Sequence, residues 1–490
     1  MTGLAADWDI VIVGAGTAGM PCAIEAVAAG ARVLVVEQAA EPGGTLHVSL
    51  AQMSGAGTRR QGERGITDTP ADHQADIERI SRGTCRSDLV AVATRLQGET
   101  IDWLVDNGFE MDPACPRILY LHEAYRTPRT YWGVDRGRSV LAVLRPLFDA
   151  AMARPTAEVR YATEAVSLTT AVDGTVTGLV LRDLATGAEE AVTAGAVVLA
   201  SGGYGASPER FARWTEGRPL YTAAMPTSTG TGIAMAEAVG AAVTGAEMFL
   251  PTFAGIAEES GGRRIVWDHV PSLTPQDRKP WEIYVAPDGR RFVQEDADSV
   301  DVRERALHAL PGLSFWTVFD DTILAEAPPL LPGWSADDLA RAWASHTSFV
   351  VADDAAGLAA ATGLPADALA ATLAAYNEAL AAGARDPLGR VHRPRPIKGP
   401  RLRAILMHGI VLKTAAGLSV DTDLRVRDGA GRPIGNLYAL GEAAGGSALS
   451  GNAFVGGMSV TPALAFGRFL GSRLGAEFGS AAPVATEAAQ

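Results

Sequence analysis

Within Asp9–Val13 (DIVIV) and Arg32–Glu37 (RVLVVE) the residues Ile10–Val13 and Val33–Val36 are apolar without interruption, and between the two segments lies the small, alanine-rich stretch Thr17–Ala29. Short β-branched runs predict buried strands, and the alanine-rich stretch predicts a closely packed helix, so the chain opens as β–α–β. Farther on, Glu158–Tyr161, Ala165–Thr170 and Val176–Arg182 predict strands, the last two joined at the Asp173-Gly174 turn. Ala196–Ala200 (AVVLA) predicts another buried strand, and Asn436–Leu440 (NLYAL) a further one only after a long gap. Residues 246–406 differ in texture: they are richer in Pro, Trp and charge and contain the helical run Pro365–Ala382. The pattern therefore predicts an α/β nucleotide fold interrupted by an insertion, with boundaries at 1–245, 246–406 and 407–479 and a disordered tail over 480–490. No period of repeat architecture is visible.

Between the first strand and the helix stands Gly14-Ala15-Gly16-Thr17-Ala18-Gly19. In that position glycines allow a tight turn, close approach of the backbone to a pyrophosphate, and close helix–strand contact, while the helix start faces the phosphate charge. Glu37 follows at the end of the second strand, where a carboxylate accepts hydrogen bonds from ribose hydroxyls. A glutamate there disfavours a 2′-phosphorylated ribose. The competing reading is a glycine-rich turn without ligand.

The 490-residue chain is 47% hydrophobic and 20% charged, which excludes a disordered protein. Its formal charge of −14 argues against nucleic acid and anionic membrane surfaces as partners. Cys22, Cys85 and Cys115 have no metal-ligand spacing, so no metal site or disulfide framework is expected. No basic residue precedes Arg32, as a secretory leader would require, and a cytoplasmic location is expected. The longest uncharged stretch, Ala443–Gly467, spans 25 residues, but six glycines and several polar residues suit a backbone pressed against a ligand rather than a membrane span.

Glu41-Pro42-Gly43-Gly44-Thr45, Ala200-Ser201-Gly202-Gly203, Gly417-Leu418-Ser419-Val420-Asp421 and Leu437-Tyr438-Ala439-Leu440-Gly441-Glu442 occur in order after the fingerprint. This combination resembles the FAD-dependent superfamily of fumarate reductase and succinate dehydrogenase flavoproteins and 3-ketosteroid Δ1-dehydrogenases, over nearly the whole chain. The resemblance implies a Rossmann-like FAD-binding domain of the glutathione-reductase type, interrupted by an inserted α+β capping domain. It implies that Gly14, Gly16 and Gly19 hold the pyrophosphate, that Glu37 binds the adenosine ribose, and that Glu442 sits near the ribityl chain. Gly43, Gly44, Thr45, Ser201, Gly202, Gly203, Gly456 and Gly457 are expected to border the cofactor. His47 follows the double glycine, but its surrounding motif differs from that of covalently flavinylated relatives, so non-covalent FAD is expected.

The resemblance also shows departures. Fumarate reductases carry HG and NRLGG elements where this chain has Ser447–Gly457, so Phe454 falls at the position of a carboxylate-binding arginine. Asp296-Ala297-Asp298-Ser299 does not supply the proton-donating arginine of the capping domain, and the steroid enzymes' tyrosine position holds Ala453. A dicarboxylate deprived of two cations would leave buried charge unpaired, which costs several kcal/mol, so fumarate and succinate are disfavoured.

Adding or removing hydrogen across a C–C bond beside a carbonyl needs a hydride path to the flavin, an acid or base for the neighbouring carbon, and donors for the carbonyl oxygen. The densest polar and aromatic segment, 120–139, is a proline-bearing loop. Within it Tyr125, Tyr131 and His122 are candidate bases, and Arg126 and Arg129 candidate carboxylate or enolate ligands; an exposed aromatic loop is the alternative. His408, just before GLSVD, is either directed at the ring or structural. Arg303 and Arg305 read as a solvated helix face, and Glu295 as a salt bridge on the surface of the insertion. The expected function is an FAD-dependent desaturase or reductase of a small ketone or acid. A flavin oxidase or hydroxylase and a non-catalytic FAD-fold binding protein are the alternatives. The chain has no haem CxxCH motif or iron–sulfur cysteine set, so a separate electron donor or acceptor is expected.

Overall fold

The computed structural model describes residues 6–479. The expected tail over 480–490 lies outside the described residues. Strand Trp8–Val13 pairs in parallel with Val33–Val36 on one side and with Glu189–Leu199 on the other. Ala157–Arg160 extends the first side and Pro433–Ala439 the second, both in parallel, and Arg425–Arg427 closes that edge antiparallel. The parallel sheet is thus completed by a strand delivered from far along the chain. Its interior residues, such as Ile10, Val11, Ile12 and Val33–Val36, are buried on both faces, which is why the apolar runs are continuous.

Strand Glu189–Leu199 begins earlier than its apolar run suggests. Its first half completes an antiparallel three-stranded layer with Thr163–Thr170 and Val176–Asp183, and its second half joins the parallel sheet from Ala194 onward. The first half is half-solvated and polar (Glu189, Glu190, Thr193), so hydrophobicity alone does not reveal it. Helix Gly19–Ala28 covers one face together with Val460–Gly479. These two helices approach closely because Gly467, Gly471 and Gly475 recur every four residues, where a Cβ would strike the backbone of Ala18, Cys22 or Ala26.

A second sheet is built from Thr252–Gly255, Ile283–Val285, Ser314–Asp320, Phe349–Ala352 and Leu402–Ile410, all antiparallel. It has its own apolar core, from Phe253 to Met407, which includes Phe315, Val318, Ile405 and, from helix Ala366–Ala381, Leu369 and Leu373. Two expectations for this region are corrected. Arg303 is not on a solvated face: helix Val300–His308 is wedged between the second sheet and loops of the first body, and Arg303 and Glu304 are both 1% exposed. Charge patterning cannot show that a helix is covered on both sides. Glu295 is likewise fully buried, accepting from Arg291 Nε and Nη2 at 2.7 and 2.6 Å and from the Tyr284 amide at 3.2 Å.

The wedged helix also ties the two bodies together. Ser299 Oγ donates to Glu123 at 2.6 Å, Arg82 donates to Asp301 at 2.5 Å, and Arg305 donates to the Asn452 carbonyl at 3.1 Å. Glu123 in turn forms a parallel bridge with Val455, which brings the 120–125 loop beside the glycine-rich C-terminal segment.

Candidate active site

A continuous cavity opens along the fingerprint and reaches the junction of the two bodies. At Gly14 the backbone adopts φ +105°, and a Cβ would sit 2.6 Å from the Ala200 carbonyl oxygen, so the first turn admits only glycine. A Cβ on Gly19 would collide with the Gly14 carbonyl, whereas a Cβ on Gly16 would meet no protein atom and would project into open space. Gly19 therefore serves packing, and Gly16 leaves room for a ligand. Glu37 accepts from the Ala15 amide at 2.7 Å and from the Ala39 amide at 2.8 Å, which fixes its carboxylate at the cavity edge. The Gly43 amide donates to the Ala15 carbonyl at 2.9 Å, binding the 43–45 turn to the fingerprint, and Gly44 and Thr45 line the cavity.

Ser201 and Gly202 line it as well, and the Ser201 hydroxyl is buried without a partner. An unpaired buried hydroxyl beside a glycine cradle fits a polar cofactor that completes its hydrogen bonding. Gly203 stands behind the wall, where its missing side chain admits the Glu442 carboxylate. Glu442 accepts from the Thr414 amide at 2.5 Å and its hydroxyl at 2.7 Å, and burial pushes its pKa up. Gly457 lines the cavity with its back against Ser54, while Gly456 holds the Tyr125 hydroxyl.

The candidate catalytic residues separate. His122 borders the cavity: it is buried, stacks on Phe454 with ring centres 3.6 Å apart, and presents Nδ1 to Glu304 Oε1 at 3.8 Å. Burial, then the Lys413 charge, lowers its pKa to about 3. Tyr125 does not line the cavity; its hydroxyl donates to the Gly456 carbonyl at 2.6 Å, and burial raises its pKa, the opposite of what a base needs. Tyr131 is bonded to Thr58 at 2.6 Å on the short strand facing Met53–Ser54. Arg129 is fully buried and committed to Asp68, through two bonds of 2.9 and 2.7 Å, and to Asp76 at 2.8 Å. The Arg126 side chain is 70% exposed beside Asp76. His408 lies in the second sheet, stacked on Tyr221 at 3.7 Å, and does not border the cavity. Of the six candidates only His122 reaches it, because the polar residues of the loop mainly hold the loop together.

The sequence reading missed Lys413 and Glu304. Lys413 Nζ is buried with no hydrogen-bond partner and lies 4.6 Å from the Phe454 ring centre. Burial lowers its pKa to about 8, against the pull of Glu442 and Glu304. One signal was available: Lys413 is one of three lysines in a chain that otherwise uses arginine, and the sole charge between Arg403 and Asp421. For Glu304, burial raises the pKa to about 8. It had no signal, since its neighbours in sequence are charged.

The family model described as an FAD binding domain matches residues 9–460. The chain belongs to this family. It is a flavoprotein oxidoreductase and its cofactor is FAD. A probable fumarate reductase, Ifc3, of Shewanella frigidimarina is 27% identical over 467 residues, covering 94% of this chain and 74% of that protein. The open conformation of a flavocytochrome c3 fumarate reductase matches with a TM-score of 0.74 at 25% identity, over 97% of this chain and 79% of the other. The 3-ketosteroid Δ1-dehydrogenase of Sterolibacterium denitrificans, at 20% identity, shares the fold with a TM-score of 0.77 over 96% of this chain and 99% of its own. Among the described residues no helix is long and apolar enough to cross a membrane.

Proposed function

We propose that the chain desaturates, or in reverse reduces, a carbon–carbon bond next to a carbonyl in a small ketone or acid. The observation that carries this reading is Lys413: among the residues lining the cavity it is the single lysine or arginine, and its ammonium has no acceptor. A carbonyl oxygen that gains enolate-like charge during the reaction supplies that acceptor. A dicarboxylate would require a second cation, and Phe454 stands at the position where the resemblance expects it.

Bound FAD supplies the hydride donor or acceptor. Gly14, Gly16 and the start of helix Gly19–Ala28 hold its pyrophosphate, Glu37 its ribose, and Ser201 and Glu442 its polar inner portion. The ring of His47 is held by the Pro42 carbonyl at 3.0 Å, which favours non-covalent attachment. The body of residues 246–406 acts as the cap, bringing helix Val300–His308 against the 120–125 loop and excluding water from the reacting carbon. Lys413 orients the carbonyl, and Phe454 shapes the wall beside it. Electrons are exchanged with a separate donor or acceptor.

The test is anaerobic bleaching of the holoenzyme with a panel of cyclic ketones, monocarboxylates, amines and alcohols, followed by reoxidation with enones or fumarate. Bleaching by a ketone or monocarboxylate and reoxidation by the matching enone is expected. Bleaching by amines or alcohols alone would replace this reading with a flavin oxidase, and reoxidation fastest with fumarate would refute the one-cation argument.

A further inference from the structure

The carbon beside the carbonyl needs a proton donor in one direction and an acceptor in the other, and Lys413 cannot serve as both anchor and acid. Two buried polar atoms near it remain unused by the fold. His122 Nδ1 and Glu304 Oε1 lie 3.8 Å apart, and neither has a hydrogen-bond partner. They come from different bodies: His122 from the loop beside the glycine-rich C-terminal segment, Glu304 from the wedged helix. An orphaned donor–acceptor pair inside a junction is costly unless it shares a proton.

We infer that His122 is the catalytic acid and base of this site and that Glu304 is the positioning residue that charges it from behind. The inference rests on the carbonyl reading above. With Nδ1 directed at Glu304, Nε2 is the nitrogen left for the cavity, and a protonated Glu304 fixes the tautomer that carries hydrogen there. In the reducing direction the Nε2 proton forms the new C–H bond at the carbon beside the carbonyl, and Nδ1 takes the Glu304 proton. The electron pair of the other new C–H bond arrives with the hydride on the adjacent carbon; a proton entering through the cavity then reprotonates Nε2 as Nδ1 returns its proton to Glu304, which restores the starting pair. Oxidation runs each transfer backwards.

The electrostatics agree with a single shared proton. Burial and the Asp301 charge on the same helix raise Glu304, opposed by Arg303, the Phe253 amide and Lys413. Burial and Lys413 lower His122. The proton therefore rests on the carboxyl at neutral pH. Phe454 holds the His122 ring in register by stacking.

The test compares wild-type holoenzyme with Glu304→Gln, Glu304→Asp and His122→Asn. Infrared difference spectra need no substrate: a protonated-carboxyl band is expected that disappears as pH rises through about 8 and is absent from Glu304→Gln. Exchange of the α protons of cyclohexanone with D2O by the oxidised holoenzyme is the second readout. It is expected to slow about 100-fold in His122→Asn and Glu304→Gln, with FAD content unchanged. Glu304→Asp, which withdraws the carboxyl without removing it, is expected to shift the pH profile of exchange and keeps the test alive should the glutamine variant not fold. Exchange in His122→Asn within twofold of wild type, or the same band in Glu304→Gln, would overturn the inference. The expected band without any cyclohexanone exchange in wild type would sustain the proton pair and reject the carbonyl reading instead.

Discussion

Lys413 Nζ lies 4.6 Å from the centre of the Phe454 ring, whose neighbour on the stack is His122. The aromatic face offsets part of the cost of burying the ammonium, but leaves its hydrogen-bond donors free for a substrate oxygen. Lys413→Met is expected to lower kcat/KM about 100-fold, the scale of losing one donor to a developing oxyanion. Because burial holds the wild-type pKa at about 8, the cation is lost as pH rises through that value, and the rate falls on the alkaline side. Lys413→Arg stays charged. Any alkaline fall that persists in its pH–rate profile belongs to Glu304.

Tyr125 holds the Gly456 carbonyl rather than a substrate proton. Tyr125→Phe leaves that carbonyl short of a donor, at a cost of about 1–2 kcal/mol of stability. A lower melting temperature is expected, with the rate of flavin reduction within a few-fold of wild type. A 100-fold slower reduction at unchanged pH dependence would return the tyrosine to the chemistry.

Arg129 neutralises two buried carboxylates at once. Arg129→Met would leave the buried Asp68 without its cation and strip Asp76 of one of its arginines, Arg79 remaining at 3.0 Å, and cost about 3–5 kcal/mol. Chemical denaturation should show that loss, or the soluble yield should collapse. Stable protein with weakened substrate binding would contradict this placement.

Gly16 and Gly19 are predicted to differ although they share one fingerprint. Gly16→Val adds a side chain where no protein atom stands. The apoprotein should fold with wild-type circular dichroism, while FAD affinity falls about 10- to 100-fold, as expected for about 1–3 kcal/mol of overpacking against the ligand. Gly19→Val drives atoms into the Gly14 carbonyl and should unfold the domain whether FAD is present or not. Absorbance of the purified proteins and their far-ultraviolet spectra separate the two outcomes.

The nucleotide fold was legible because its determinants are local. The runs Asp9–Val13 and Arg32–Glu37, the glycine spacing and Glu37 all fall within one β–α–β unit, and buried parallel strands must be apolar on both faces. The catalytic junction was not local. His122, Glu304, Lys413 and Phe454 come from four distant stretches, joined only when the helix of one sheet packs against a loop of the other. Residue type misled at Arg129 and Tyr131, whose partners Asp68, Asp76 and Thr58 decide their roles through burial. Backbone conformation and apolar period are written residue by residue, whereas desolvation and the pairing of charges depend on what the folded chain brings alongside.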